Sequence, residues 1–283
     1  MYRREFLQVS AATAAGTSLP SLMPSLVLGG TDEALELKAG LSEAEWKQLH
    51  DRFVELRSQV VVIKHRDFPQ GFWYLRFPEQ IATNKDPKTG PYQVGMNWKQ
   101  SPDGWQFDDC PMVGLDGTMK GSVSLRAPDA VDFTLTVENH SQEVWRQTLA
   151  WLCFNHSQAK TYYRHHNFVS SDAEIVETPE KAMEHYCIGG RDRDWWTRGK
   201  LTPTESWIGT SCMTEQGQEF CVAIGTGRAI MVGQNPGWPC TDIAPLFGDV
   251  SPDVSSTVRG RIYFQPGNPS KIRELYRRDF ATP

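Results

Sequence analysis

Histidine and tyrosine side chains are concentrated between residues 154 and 166 of this 283-residue chain. His156 ends the strand-like segment "WRQTLAWLCFNH", and Tyr163 and His165 lie in the next one, "YYRHHNFVS". In a strand, alternation directs Tyr163 and His165 to the same face. Because imidazole and phenol groups are common proton donors and acceptors in enzymes, we predict that His156, His165 and Tyr163 carry general acid–base catalysis. Exposed positions on a sheet would have the same pattern.

Arginine and tryptophan residues accompany these groups. The segment "GGRDRDWWTRGK" (residues 189–200) and the Pro- and Gly-rich segment 233–253 both have the composition of loops. Guanidinium groups bind carboxylates and indole rings stack on flat faces, so these residues are typical of a site for sugars with acidic groups. Solvent loops whose Trp side chains pack onto a sheet have the same composition. The predicted substrate-binding residues are Arg164, Arg191, Trp195, Trp196, Trp238 and Asp242.

Cysteine offers a second kind of chemistry, because thiolates and imidazoles bind zinc. Cys153 and His156, together with His165 or with Cys240 and Asp242, contain zinc-type ligands. Residues three apart on a strand point to opposite faces, so a bulge or turn would have to separate Cys153 from His156. We therefore predict no metal and no other cofactor.

The six cysteines contain no Cys-x-x-Cys pair, which argues against a zinc knuckle. Cys212 and Cys221 flank the turn-like "TEQGQ" on two predicted strands. They form a cross-strand disulfide in an oxidising compartment, or they are two buried thiols, because cysteine packs as a small apolar residue.

Period-two alternation predicts the elements that position these residues. Strand-like segments from residue 121 to residue 264 are separated by short turns, which favours an antiparallel sandwich over β-α-β units. Two of them form a predicted hairpin that turns at Asn139-His140-Ser141, since short polar side chains favour turns. Residues 78–118 are predicted to be a long loop region with room for one short strand, and residues 233–253 are predicted to be a long loop.

Two helices complete the predicted fold. Ser42 and Glu45 form a capping box at the start of a helix over residues 40–59, and a short amphipathic helix covers residues 269–280. The predicted fold is therefore mainly β, an antiparallel β-sandwich (supersandwich) with a short N-terminal helix and a short C-terminal helix.

The first thirty residues have the composition of a targeting segment. A charged start with Arg3 and Arg4 is followed by Phe6-Leu7 and an Ala/Ser/Thr run that is too polar for a stable membrane span. This start resembles bacterial twin-arginine export signals, and an ordinary basic signal begins similarly. We predict a twin-arginine-type signal segment at residues 1–30 and a single β-sandwich domain at residues 31–283. The protein would engage the twin-arginine export machinery and be periplasmic or secreted.

Composition and missing motifs argue against several functions. A net charge of −5 without a basic run argues against nucleic-acid binding, because phosphate backbones attract clustered Lys and Arg. The absence of G-x-S-x-G, G-x-G-x-x-G, Walker and H-E-x-x-H motifs argues against a serine hydrolase, a dinucleotide enzyme, a kinase and a zincin.

A strand ending in Val-x-Asn-x-Ser (residues 137–141), a second strand and an aromatic–Asn–His end (residues 154–156) form one pattern. This pattern resembles the galactose-mutarotase-like β-supersandwich superfamily, which includes sugar epimerases. The resemblance implies that His156 acts as an acid on the sugar-binding face, with a later Glu as base. Glu215 and Glu219 flank a turn, so no Glu of this sequence matches that base.

These observations predict an exported carbohydrate-active protein that binds a sugar or oligosaccharide ligand on the concave sheet. Its chemistry would be of the epimerase-like or polysaccharide-lyase-like acid–base kind. A non-catalytic sugar-binding or structural extracytoplasmic protein on the same fold is the alternative, and a metal-dependent extracytoplasmic enzyme is a third hypothesis. The final strand, residues 258–264, also resembles secreted bacterial proteins of unassigned function.

Overall fold

The fold is that of a computed structural model, which describes residues 34–50, 53–83, 90–126, 128–172, 174–179, 183–188 and 199–280. The predicted signal segment at residues 1–30 lies outside the described residues, as do the predicted ligand contacts Arg191, Trp195 and Trp196. The backbone of His165 lies in a described strand, but its side chain is outside the described part.

Two antiparallel sheets make up most of the described chain, which confirms the predicted β-sandwich. In chain order the strands are β1 (Leu35–Ala39), β2 (Val60–His65), β3 (Trp73–Ala82), β4 (Lys99–Ser101), β5 (Gly104–Pro111), β6 (Gly117–Arg126), β7 (Ala130–Asn139), β8 (Trp145–Asn155), β9 (Tyr163–Ser171), β10 (Glu174–Glu177), β11 (Glu184–Cys187), β12 (Trp207–Met213), β13 (Glu219–Thr226), β14 (Ala229–Asn235), β15 (Cys240–Val250) and β16 (Ser255–Pro266). The order is β1-β2-β3-β8-β15-β14-β11 in the seven-stranded sheet and β10-β9-β12-β13-β16-β7-β6-β5-β4 in the nine-stranded sheet.

The core lies between the sheets and is built from alternate residues of each strand. Ala150, Leu152 and Phe154 of β8 share it with Phe133 and Leu135 of β7. Burying a side chain of the size of Leu or Phe contributes about 1.5–3 kcal/mol. Because successive side chains of a strand point to opposite faces, the odd-numbered residues of β8 are directed away from the nine-stranded sheet. We call this side the outer face of the seven-stranded sheet.

The N-terminal helix has the predicted start but is shorter than predicted. Helix α1 (Glu43–Leu49) has the capping box, in which the side chains of Ser42 and Glu45 each accept from the other's amide. The helix stops there because His50 is extended, and Phe53 has a left-handed φ of 55° before a 3₁₀ turn. The prediction of one helix over residues 40–59 is therefore wrong at its C-terminal half.

The predicted C-terminal helix is confirmed as α2 (Pro269–Phe280). Ile272 and Tyr276 are its buried residues, and they pack with Trp207 and Tyr263 on the outside of the nine-stranded sheet. None of the helices in the described part of the chain is long and apolar enough to cross a membrane.

The predicted hairpin at residues 139–141 is wrong, because this turn is a corner between the two sheets. β7 pairs with β6 and β16, whereas β8 pairs with β3 and β15. The buried Asn139 holds the corner: its Nδ2 donates to the carbonyls of Glu143 (2.7 Å) and Val250 (2.9 Å), and its Oδ1 accepts from the Ser141 amide (2.9 Å). Alternation could not reveal this, because strands that pair and strands that only follow each other have the same period.

Both segments predicted to be long loops contain strands. β4, β5 and the start of β6 lie within residues 78–118, and β15 occupies much of residues 233–253. Pro245 and Gly248 of β15 disfavour regular strands, and irregularities in the pairing of β15 with both neighbours accommodate them. Composition alone therefore failed to predict β15, which is an interior strand of the seven-stranded sheet.

We expect Asn139→Ala to lower the free energy of unfolding by about 2 kcal/mol, because the buried hydrogen bond to the Val250 carbonyl and the partly buried one to Glu143 are lost. Urea unfolding followed by tryptophan fluorescence measures this change. The control is His140→Ala, which removes an exposed side chain from the same turn and should change the value by less than about 0.5 kcal/mol. Equal losses in the two variants would contradict the role given to Asn139.

Candidate functional site

Two of the three predicted catalytic residues meet, but they do so inside the sandwich. The rings of His156 and Tyr163 stack with centroids 5.4 Å apart and an interplanar angle of 2°. Strand β8 ends at Asn155, and His156 begins a short 3₁₀ turn from which its ring contacts Phe154 of the core. His156 is 0% exposed and Tyr163 is 4% exposed. The pair therefore lies between the sheets, away from solvent.

Burial determines the protonation of His156. Its Nε2 lies 3.2 Å from Thr241 Oγ1, and burial lowers the pKa of the imidazole to about 3, so the ring is neutral at physiological pH. Tyr163 donates to Asn167 (3.1 Å), which in turn donates to Gln234 of the other sheet (2.8 Å). These contacts tie the two sheets together. Catalysis by His156 and Tyr163 stays a prediction. Their burial between the sheets argues against it, because a substrate would have to reach them through the core.

The remaining predicted site residues are spread over the molecule. Arg164 is exposed. The side chain of His165 and residues 189–198, which were predicted to form a loop, lie outside the described residues. Trp238 and Asp242, by contrast, both belong to the region of the outer face of the seven-stranded sheet. Chemically active side chains are concentrated there.

A line of such residues crosses this face. The backbone register pairs Arg76 with Cys153, Cys153 with Asp242, Asp242 with Gly233, and Gly233 with His185. These residues come from β3, β8, β15, β14 and β11, and directly opposed residues of neighbouring strands share one face. The side-chain-bearing members are all buried. We call Arg76, Cys153, Asp242 and His185 the polar row.

Gly233 allows the polar row to continue to β11. A Cβ atom at this position would lie 2.4 Å from His185 Cδ2, which is closer than real contacts allow. Without that atom the imidazole occupies the space over β14, and His185 Nε2 lies 3.9 Å from Asp242 Oδ2. The missing side chain thus brings a histidine to a buried carboxylate.

Two thiols and one carboxylate converge at the centre of the polar row. Cys240 Sγ donates to Asp242 Oδ1 at 3.4 Å. The ligand atoms of Cys153, Cys240 and Asp242 all lie within 4.8 Å of one another. The ligand pair of Cys153 and His156, considered from the sequence, does not form, because the end of β8 turns His156 to the inner side. Cys153 instead meets the other two zinc-type residues of that hypothesis.

Burial keeps both thiols protonated. A hydrogen bond from Cys240 favours the Cys153 thiolate, but burial and the nearby Asp242 and Glu79 carboxylates outweigh it and raise the pKa of Cys153 to about 11. The hydrogen bond with Cys153 and burial hold the pKa of Cys240 well above its usual range. Without a cation, the pair is a neutral dithiol at physiological pH. The other four cysteines are also free and buried, so Cys212 and Cys221 are thiols and not a disulfide.

Near the thiols lie buried hydrogen-bonding atoms that have no partner among the described residues. Arg76 Nη1 lies 3.3 Å from Glu79 Oε1, but for Arg76 Nε the described residues provide no hydrogen-bond partner. The same holds for Gln80 Oε1 and for Asn155 Nδ2, whose residue is fully buried. Because an unmet buried donor or acceptor costs about 1–3 kcal/mol, these atoms favour a bound ligand or water.

An exposed tryptophan lies at one end of this face. Trp238, in the turn between β14 and β15, is 45% exposed, and its ring stacks on His50 with centroids 5.0 Å apart. His50 Nε2 lies 2.7 Å from the hydroxyl of the buried Tyr74, which pairs in register with Asn155. His50 and Tyr74 thereby connect an exposed aromatic ring to the residues that flank the thiols.

Sequence reasoning missed several of these residues, and one signal was available. In "FWYLRF" alternation places Tyr74 and Arg76 on one side of an apolar strand, and an Arg in such a strand indicates a buried partner. No comparable signal marks His185, because "EHYC" shows no clear period and its neighbour Gly233 is distant in sequence.

Comparisons with known proteins do not assign this chain to a family. No family model and no curated protein sequence matches it. Among solved structures, the Slr1438 protein from Synechocystis sp. PCC 6803 is similar over 90% of this chain and 100% of its own, with 9% identity and a TM-score of 0.43. A protein from the human microbiome, provisionally assigned as a kojibiose phosphorylase, is similar over 78% of this chain and 22% of its own, with 10% identity and a TM-score of 0.31. Both scores are low, so the resemblance to the galactose-mutarotase-like superfamily stays a prediction.

The buried His156 generates a pH dependence of stability. Its folded-state pKa of about 3 lies below the value of about 6.5 in an unfolded chain. Between these values the unfolded state binds a proton that the folded state excludes. The free energy of unfolding therefore falls as the pH falls through this window, by at most about 1.4 kcal/mol per pH unit. His65, whose pKa burial also lowers, contributes in the same direction.

We expect His156→Gln to remove its share of this slope, measured by urea unfolding between about pH 4.5 and pH 7. Gln48→Asn, which changes an exposed side chain that does not titrate, should leave the slope unchanged. An undiminished slope in His156→Gln would show that the buried ring is not the group that titrates.

Proposed function

We propose that the protein binds a sugar or oligosaccharide on the outer face of the seven-stranded sheet, between Trp238 and the polar row. The observation that carries the proposal is the exposed Trp238 ring, which stacks on His50. His50 contacts Tyr74, and Tyr74 pairs in register with Asn155 beside buried donors and acceptors for which the described part of the chain provides no partner. The proposal concerns binding and locates it on the face opposite to His156.

An exposed and oriented indole suits a sugar ring. Sugar rings present an apolar C–H face, and a flat aromatic surface packs against such a face. Trp238 is 45% exposed, and stacking on His50 holds its ring. A ring that is already oriented loses less conformational entropy when a ligand binds, which favours affinity.

The buried hydrogen-bonding groups near Trp238 suit the hydroxyl groups at the edge of a sugar ring. Arg76 Nε and Asn155 Nδ2 are donors and Gln80 Oε1 is an acceptor, and a hydroxyl can both donate and accept. A uronate carboxylate would accept from the guanidinium of Arg76. An apolar ligand would leave these buried groups unpaired, so a polyhydroxylated ligand is favoured.

Epimerase-like or lyase-like acid–base chemistry is the finer form of this proposal. On the outer face, Asp242 and His185 are the titratable pair that could take up and return a proton, since their Oδ2 and Nε2 atoms are 3.9 Å apart. Their exposures are only 5% and 1%, which favours the alternative of a sugar-binding protein without turnover. Asp242→Asn separates the two: an enzyme would lose turnover and keep affinity, whereas a binding protein would have no turnover to lose.

We also propose that residues 1–30 direct the folded protein out of the cytoplasm by the twin-arginine route, which makes it periplasmic or secreted. The paired Arg3 and Arg4 followed by Phe6-Leu7 support this, because that start resembles twin-arginine signals. The six described cysteines are buried, so a chain exported in its folded state would carry its thiols shielded from an oxidising compartment.

A thermal-shift screen against mono- and oligosaccharides, uronates included, should identify ligands that raise the melting temperature, because a ligand that binds only the folded state stabilises it. Trp238→Ala should weaken binding of such a ligand roughly tenfold, or about 1.4 kcal/mol. Val254→Ala, which trims an exposed apolar side chain between β15 and β16, is the control and should bind like the wild type. No shift across the panel, or equal affinity in Trp238→Ala, would refute the proposed site.

The export proposal predicts that replacing Arg3 and Arg4 together by Lys retains the chain in the cytoplasm of a bacterial host, as seen by fractionation and immunoblotting. Replacing Lys38, a basic residue beyond the signal segment, by Gln is the control and should leave export intact. Unchanged export of the Arg3→Lys/Arg4→Lys variant would rule out the twin-arginine route.

A further inference from the structure

We infer that Cys153, Cys240 and Asp242 form a binding site for a zinc-class divalent cation, with a non-protein oxygen as the fourth ligand. The inference does not depend on the carbohydrate proposal, because it rests on the convergence of two thiols and one carboxylate and is tested by metal content and metal spectra.

The donor set selects the ion. Two sulfurs and one carboxylate oxygen are ligands that zinc accepts, whereas magnesium and calcium require oxygen donors. In tetrahedral zinc sites the sulfurs stand about 3.8 Å apart, as the Zn–S distance of about 2.3 Å requires. Cys153, Cys240 and Asp242 have their donor atoms within 4.8 Å of one another, so an ion needs any pair of them to close by roughly 1.3 Å at most.

The strand register argues against a disulfide as the purpose of these thiols. Cys153 lies opposite Asp242, and Cys240 lies opposite Asn155, so the two cysteines are diagonal neighbours. Diagonal Cα atoms on antiparallel strands are about 7–8 Å apart, beyond the roughly 4.4–6.8 Å that a disulfide spans. An ion between the sulfurs bridges this distance without moving the backbone.

The surroundings of the cluster suit a metal site. His185 approaches the second oxygen of Asp242, as outer groups commonly do for a ligating carboxylate. Arg76 lies beside Cys153 on the neighbouring strand and offsets part of the thiolate charge. Asn155 Nδ2, on the same face and without a partner in the described part, can donate to the fourth ligand.

The site is tested by metal analysis of the full-length protein. Purified protein is stripped with chelator, incubated with Zn²⁺, freed of unbound ion and analysed by mass spectrometry, where we expect about one zinc per chain. With Co²⁺, we expect a thiolate-to-cobalt charge-transfer band and the visible bands of tetrahedral cobalt. Cys153→Ser and Cys240→Ser should each retain much less zinc, and any cobalt that they still bind should show about half of the wild-type charge-transfer intensity per ion. His185→Gln should weaken zinc binding roughly tenfold to a hundredfold.

Control variants distinguish the loss of the metal site from the loss of the folded structure. Cys110→Ser removes a buried thiol outside the cluster and should keep full zinc content. Circular dichroism must show that each variant is folded, and Asp242→Asn offers a second, nearly isosteric ligand change. No zinc and no cobalt band in folded wild-type protein, a Cys153–Cys240 disulfide found by peptide mapping, or equal metal loss in Cys110→Ser would overturn the inference.

The result of the metal analysis can be interpreted independently of the result of the saccharide screen. If zinc binds and no saccharide raises the melting temperature, the metal site stands and the carbohydrate proposal fails. If a saccharide binds equally well to chelator-treated protein that takes up no zinc, the carbohydrate proposal stands and the metal site fails.

Discussion

Strand β8 is buried on both of its faces, and this constraint governs the chemistry of the molecule. From Thr148 to Asn155 every residue of the strand is buried. Its position between β3 and β15, in the middle of the seven-stranded sheet, leaves no free edge. One set of alternate side chains can be apolar and fill the core. Any polar group in the other set is desolvated and must meet a protein partner, a ligand or an ion.

The two sides of β8 meet this constraint in different ways. On the inner side, Leu152 and Phe154 pack between the sheets, and the chain end places His156 there as a neutral imidazole. On the outer side, Cys153 is surrounded by a carboxylate, a second thiol and a guanidinium, all from neighbouring strands. Burial alone explains the protonation of His156, whereas the outer groups alter one another's charge. The outer side is therefore where a ligand or cation changes the energetics most.

Small structural features hold this arrangement in place. Asn139 turns the chain from one sheet to the other and thereby makes β8 a central strand of the seven-stranded sheet and not the partner of β7. Gly233 leaves the space that His185 occupies near Asp242. Irregular pairing around Pro245 lets β15 continue despite its composition. Each feature affects which side chains meet on the outer face.

Local patterns in the sequence determined many of the strands, though not β4, β5 or β15, and they determined the helix start at Ser42, the helix α2 and the sandwich class. Alternation, capping and amphipathicity depend on residues close together in the chain. The local patterns also indicated that His156 and Tyr163 belong together. Only the tertiary structure decided that this pair lies between the sheets and that Arg76, Cys153, Asp242 and His185 form one row. Period two separates the two sides of a strand, but it contains no information on which strands are neighbours, in what register, or which side is covered. Those choices depend on contacts between distant segments, and they decide where the chemistry lies.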